Sequence, residues 1–277
     1  MKGVDAMLNS VDKFAEATEK VLEVAPKLYD DVIQPSAQES GKLLGRIPRV
    51  INAVLAPLDI WILNKEYNIE ETKKLLAKKL ENVSTEKIVP PEPYVAVPAL
   101  QAISYSMNNI ELRNMYANLL ANSMNVDEKD NVHPSFVEII KQLSPFDANL
   151  LKLFSIMGQS TKPSYPIIKL RSQISKEDSS GIDRVYHILS PSFGISINNY
   201  IQYSISIDNL IRLHLVKADY DRSFVDKTYY NDILNSDLVT KLNQTLPIAP
   251  NYTYVNDKEG VLTITDLGQA FINICVS

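Results

Sequence analysis

The stretch from Pro98 to Met157 constrains the fold more than any other, because helix starts, helix stops and apolar spacing agree along its whole length. Pro98 suits the first turn of a helix, where its missing N–H would have no partner, and Leu100, Ile103 and Met107 follow at helical spacing. Asn108-Asn109 offers a break and a new cap, after which Ile110, Ala117, Leu120 and Met124 form a second apolar stripe. The acidic loop Asn125 to Asn131 comes next. His133-Pro134-Ser135-Phe136 restarts helix with Pro134 at its first position, and Phe136, Ile140 and Leu143 carry the buried face. Ser144-Pro145-Phe146-Asp147 is the sharpest local signal: a Ser cap, Pro at the first helical position, and an acidic residue three after the cap. Four short helices in series are predicted.

Upstream, Val4, Leu8, Val11, Ala15, Thr18, Leu22, Ala25, Tyr29 and Val32 recur at alternating steps of four and three, a heptad-like seam with charged residues on its other faces. Pro26 kinks or ends that helix. Ser36 with Glu39 reads as a capping box, and the segment that follows, through Ile47 to Leu63, is apolar nearly all round, as central helices are. Pro48, Arg49, Asn52, Pro57 and Asp59 interrupt it, so it reads as a buried helix and not a membrane span, which wants about 20 nearly uncharged residues. Asn68 with Glu71 caps a third helix whose exposed side holds Lys73, Lys74, Lys78 and Lys79. Residues 89–97, rich in proline, read as an extended strap.

Beyond Met157 the helix formers give way to Pro, Ser, Tyr and Ile. Strand-like runs appear at Tyr165 to Ile174, at 215–218, at Asn251 to Tyr254 and at Val261 to Thr265, with Ser172 to Gly181 as loop. Ile205 to Leu213 reads as a short helix, Asn231 to Asn243 as an inserted one, and Thr265-Asp266-Leu267-Gly268 opens the last, Gln269 to Val276. That order, with the phrases LIRLHLV and LTITDLGQAF, is similar to a winged-helix domain. The expected fold class is therefore mainly α, an N-terminal multi-helix domain followed by an α+β winged-helix-like C-terminal domain. Its blocks are 1–88 (amphipathic and apolar helices), 89–97 (strap), 98–144 (central helices on the N-terminal region) and 145–277 (winged-helix-like).

The phrase MYANLLANSM and then HPSFVEIIKQLSPFDANLL, after a Pro-rich segment and an apolar N-terminal half, resembles the bacterial Abi-alpha family, a domain of unknown function linked to abortive phage infection. Its most specific words are His133-Pro134-Ser135-Phe136 and Leu143-Ser144-Pro145-Phe146-Asp147, and the likeness spans roughly residues 20–277. The resemblance implies a role in antiphage defence and carries over no catalytic residue. His133, Pro134, Phe136, Ser144, Pro145 and Asp147 read as structural members of the motif, with the His133 ring capping or packing.

Charge bears on partners. The net charge of −5 and pI near 5.3 argue against a phosphate backbone as main partner, and from Pro145 onward 12 basic residues stand against 13 acidic ones. The helix that would read a DNA groove carries only Arg212, with Asp208 beside it. No HExxH, CxxC, P-loop, dinucleotide fingerprint or G-x-S-x-G occurs, and His133, His187 and His214 are far apart in sequence. The Asp127 to Asp130 run lacks the alternating ligands and central Gly of a calcium loop. The lone Cys275 reads as a small apolar residue of the last helix. The N-terminus lacks the pattern of a secretory signal.

The sequence thus predicts a cytoplasmic, non-enzymatic defence protein without metal or cofactor, acting by contact with a phage or host protein. Arg212, Asp208, Lys73, Lys74 and Lys78 are its candidate contact residues, and the 4–33 helix is a candidate homo-oligomer seam. Two other readings were open: a toxic effector that inserts the 47–63 helix into a membrane, and a DNA-binding regulator acting through the winged-helix-like domain.

Overall fold

The computed structural model describes residues 43–55, 69–106, 108–158, 163–246 and 251–276. The 4–33 seam, the Ser36–Glu39 box, the Asn68 cap, Met107 and residues 56–63 with Trp61 lie outside the described residues. The chain falls into two units, Met1–Val137 and Glu138–Ser277.

In the first unit, α1 (Leu43–Leu55) and α2 (Ile69–Lys79) pack together, and α2 packs on α4 (Ile110–Ser123), which also holds α3 (Pro93–Tyr105). Ile51 and Leu55 of α1 are buried, and so are Leu76 and Leu80 in and after α2. α4 is the central helix of the described set, since Met115 to Ala121 are buried without a break. The Asn109 side chain caps it by accepting the Leu112 N–H at 3.0 Å. The chain before α3 is clipped to the chain after α4: the Val89 N–H donates to the Met124 carbonyl and the Val126 N–H to the Lys87 carbonyl.

The strap is shorter than expected. Residues 93–97 are the start of α3, with Pro93 in the first turn and the Ala96 N–H donating to the Glu92 carbonyl at 2.9 Å. Pro98 is therefore an interior residue. An interior proline costs about 3 kcal/mol; burial of Val95, Leu100 and Ile103 on this helix, each worth roughly 2 kcal/mol, outweighs it. The last helix of this run, α5 (Ser135–Lys141), crosses the division between units.

The second unit is built on a four-stranded antiparallel sheet. α6 (Pro145–Met157) leads into β1 (Ser164–Gln173) and β2 (Gly181–Ile188). α7 (Tyr200–Arg212) and β3 (Val216–Asp219) follow, then α8 (Asn231–Leu234), α9 (Asp237–Thr245) and β4 (Tyr254–Ile264). The chain ends in α10 (Asp266–Phe271) and a π-helical turn, Ile272–Val276. The strand order is β2-β1-β4-β3, so β1 and β4 form a central ribbon paired from Ser164↔Thr263 to Gln173↔Tyr254. Phe154, Tyr165 and Phe193 pack with ring centroids 5.0 to 5.5 Å apart, Phe193 edge-to-face with the other two, joining α6 to one end of β1. There the Tyr165 hydroxyl donates to the Phe154 carbonyl at 2.7 Å, and burial pushes its pKa up to about 12.

This architecture overturns the expected fold class. The protein is mixed α/β, with a half-barrel sheet in place of a winged-helix domain. A single α-helix, α7, lies between β2 and β3 where a winged helix needs a pair. β2 was not foreseen because Asp183-Arg184 interrupts its apolar pattern, yet Asp183 is neutralised by partners on β1. Of the two runs expected at 251–254 and 261–265, Tyr254 and Val261 to Ile264 belong to one strand, β4, because the charged residues between them pair along β1, while 251–253 precede it as turn and loop.

Candidate functional site: the polar face of the sheet

Lys169 and Arg171 are two residues apart on β1 and so share a face. Both reach Asp183 on β2, the Cα partner of Arg171: Lys169 Nζ donates to Oδ2 at 2.7 Å and Arg171 Nη1 to Oδ1 at 2.9 Å. The Tyr186 hydroxyl adds a third donor at 3.1 Å, and Arg171 Nε holds the Ser179 carbonyl. Burial alone would raise the Asp183 pKa, but the bonds from Lys169 and Arg171 outweigh it and hold the carboxyl below its ordinary value.

Opposite Lys169 the ladder carries an extra residue. Between the pairs Ile168↔Ile188 and Leu170↔Val185, β2 supplies both Tyr186 and His187, a β-bulge. His187 takes φ 60°, the left-handed region that favours glycine, which costs an L-residue about 1–2 kcal/mol. The bulge re-aims its imidazole. Nε2 lies 3.1 Å from Asp208 Oδ1 on α7 and Nδ1 lies 3.1 Å from the Tyr220 oxygen, which also accepts the His187 backbone N–H at 2.9 Å.

That pattern settles the protons. The Asp208 carboxylate only accepts, so in the neutral ring Nε2 carries the proton and donates to it, which leaves Nδ1 to accept from the Tyr220 hydroxyl. Neutral imidazole fits the surroundings: burial lowers the His187 pKa, Asp208 offsets this in part, and the Lys169 charge adds to the lowering. Burial likewise raises the Tyr220 pKa well above that of a free phenol.

Tyr220 follows directly on β3, the far edge of the sheet from β2. Its ring lies on Gly260 of β4, where an added Cβ would come within 2.6 Å of the ring. Lys169 Nζ of β1 sits 5.0 Å from the ring centroid, and the ring stacks on His187 at 5.9 Å. In a flat sheet the first and fourth strands stand about 14 Å apart, beyond a phenol's reach. The contact therefore requires the sheet to roll, and Tyr220 closes the roll. A cleft of about 340 Å³ lies beside it, lined by Arg222, Asp257, Lys258 and Glu259 among others.

The outer face of α7 completes the region. Ile201, Ile205, Asp208 and Arg212 recur at steps of four, three and four and lie on one stripe. Ile201 and Ile205 are 58% and 64% exposed, and the Asp208 side chain 67%. Tyr186, next to His187, is exposed as well.

Of the residues singled out from sequence, Asp208 and Arg212 thus share one surface, with Arg212 bonded to Asn209 and to Gln142 Oε1 at 2.8 Å. Lys74 and Lys78 are exposed and Lys73 is half-buried on α2, in the other unit. Ser144 and Asp147 form the capping box of α6: Ser144 Oγ accepts the Asp147 N–H at 3.1 Å and Asp147 Oδ2 accepts the Ser144 N–H at 2.7 Å. Pro145 holds the first turn. Asp147 is buried, and it also accepts from the Ser206 hydroxyl and the Asn209 amide, tying α6 to α7. His133 is exposed and caps α5, its Nδ1 taking the Ser135 N–H at 3.1 Å, while Phe136 is buried and Pro134 exposed.

Sequence reasoning missed Lys169, Arg171, Asp183, Tyr186 and Tyr220, and treated His187 only as an isolated histidine. Two bases spaced by two in a strand-like run were a usable signal for Lys169 and Arg171. Nothing local marks Tyr220 as the partner of His187. Cys275 is buried, which raises its thiol pKa well above the ordinary value. Among the described residues no group of three or more His, Cys, Asp or Glu could hold a metal ion, and no helix is long and apolar enough to cross a membrane.

No curated protein matches the chain. A solved structure of an uncharacterized protein from the hydrocarbon-degrading marine bacterium Alcanivorax borkumensis SK2 is similar at 19% identity over 51% of this chain and 92% of the other. Its TM-score is 0.31, too low to carry an argument. The model of the family described as "Abortive infection alpha" matches residues 64–275, a span that starts after the 47–63 segment and holds both motif words and the whole sheet. The chain belongs to the Abortive infection alpha family.

Proposed function

We propose that the protein is a cytoplasmic, non-catalytic abortive-infection protein that works by binding a phage or host protein through the outer face of α7. The observation that carries this reading is the exposed pair Ile201 and Ile205, one helical turn apart, with the Asp208 carboxylate continuing the stripe. Adjacent exposed apolar side chains rimmed by charge are the ordinary make-up of a protein-contact surface. Family membership supports the defence role, and the stripe supports contact as its means.

Phage plating on cells carrying the wild-type chain or Ile201→Asp/Ile205→Asp tests it. The expected result is loss of protection with an unchanged thermal midpoint and loss of a co-purifying protein from infected cells. Full protection by the folded double variant would overturn the assignment of the surface.

A further inference from the structure

We propose that β2 is the seam of a homodimer: the open edge of the half-barrel pairs with the same edge of a second copy about a two-fold axis at Ile182. β2 lies at the end of the strand order and, among the described residues, pairs with β1 alone. Past Asp183 the register shifts twice and the Tyr220 oxygen takes the His187 N–H, so that end of the edge is closed. From Ser180 to Asp183 the pairing is regular. The Ile174 N–H donates to the Ser180 carbonyl at 3.1 Å, so by antiparallel alternation Ser180 and Ile182 turn their backbone groups toward β1, and Gly181 and Asp183 turn theirs away. Among the described residues neither outward pair of groups bonds to another element. Such an edge is a template for a further strand.

An axis at Ile182 matches this pattern to itself. Gly181 then faces Asp183 of the second copy, and Asp183 faces its Gly181, each pair exchanging two N–H···O bonds while Ile182 meets its own counterpart. Ile182 is exposed, and so is Ile174, its diagonal neighbour on the same face of the hairpin, so the axis joins two apolar pairs into one patch. Gly181 has no side chain to crowd the carboxylate opposite it, and each copy's Asp183 is already held by Lys169 and Arg171. Charge selects a second copy over an unrelated strand. Arg184 makes no ion pair among the described residues: its Nε is buried and unbonded, and its guanidinium lies 5.7 Å from the Tyr252 ring centroid. The turn at the other end of the edge, Lys176-Glu177-Asp178, is exposed and carries one net negative charge. Antiparallel pairing about Ile182 sets Arg184 opposite Ser180 of the second copy, beside that turn, and the match occurs twice.

Sedimentation of the 277-residue chain over a micromolar concentration series should show a species of about 62 kDa, twice 31.1 kDa. Ile182→Lys sets like charges opposite each other and leaves the bonds to β1 in place, so it should raise the dimer Kd about tenfold or more with an unchanged thermal midpoint. Arg184→Glu should also weaken the dimer, and adding Asp178→Arg to it should restore it. Ile182→Cys reports the axis directly, even if Ile182→Lys does not fold. Partners of its kind stand about 4.5 Å apart at Cα, within disulfide range, so mild oxidation should give a reducible dimer, whereas Val225→Cys, exposed elsewhere, should give little. A chain that stays monomeric, a dimer indifferent to Ile182→Lys, crosslinking of Ile182→Cys no faster than of Val225→Cys, or a different protein crosslinked at Ile182→Cys in place of the second copy would each overturn the seam.

Discussion

The Tyr220 hydroxyl oxygen lies 2.9 Å from the backbone nitrogen of His187 and 3.1 Å from its Nδ1, so one phenol ties together the two outermost strands of the sheet. Tyr220→Phe keeps the ring over Gly260 and Lys169 but removes both bonds and leaves a buried N–H without its acceptor. A loss of about 1–3 kcal/mol in unfolding free energy is expected at neutral pH, measured by urea titration.

Asp147 is a buried carboxylate that accepts from Ser144, Ser206 and Asn209 at once. Asp147→Ala removes the acceptor of all three, of which Asn209 keeps a second bond to the Gln142 carbonyl, and should destabilise by about 3 kcal/mol. Ser144→Ala removes only the reciprocal half of the capping box and should cost about 1 kcal/mol. Equal losses for the two variants in a denaturant series would contradict the network as drawn.

His214 and His187 both take left-handed backbone angles, φ 57° and 60°, but for different reasons. His214 ends α7: its N–H donates to the Ile211 carbonyl and the next N–H, that of Leu215, to Leu210, the hydrogen-bond pattern of a glycine-type helix stop. Its side chain is exposed, so His214→Gly should raise stability by about 1 kcal/mol. His187→Gly relieves the same backbone strain yet deletes the Asp208 and Tyr220 bonds, and should lower it. Opposite signs in calorimetry are the expected outcome.

Stability should be greatest between about pH 6.5 and pH 10. His187 resists protonation when folded, so below the ordinary histidine value of 6.5 the unfolded chain binds more protons and stability falls as pH falls. Asp183, with a lowered pKa, contributes stability above 3.8 that is lost as pH drops further. On the alkaline side Tyr165 and Tyr220 keep their protons past 10.0, so the unfolded chain ionises first and stability falls as pH rises. Thermal midpoints across pH would show the His187 shoulder disappear in His187→Gln.

What the sequence showed clearly was whatever a few neighbouring residues decide. The Asn109, Ser144 and Thr265 caps lie where the chain announces them, because each satisfies N–H groups three residues away. The start of α3 misleads because Pro93 and Pro98 both look like first-turn prolines, and burial along the helix makes the choice. β2 is illegible for a different reason: Asp183 and Arg184 spell a loop until Lys169 and Arg171 are beside them. The winged-helix likeness rested on the order of helices and strands, whereas the fold is defined by register, which places β1 and β4 side by side over ten pairs. The candidate site was the least visible part, since Tyr220 and His187 are 33 residues apart and neither belongs to a motif.

Closed barrels set their bore by strand number and stagger, quantities written into the backbone. Here the gap between the two rims is spanned by a side chain resting on Gly260 and Lys169, so its width depends on the length of one residue. An aperture gauged in that way can be widened or narrowed by a single substitution at position 220, with every ladder bond between strands left in place.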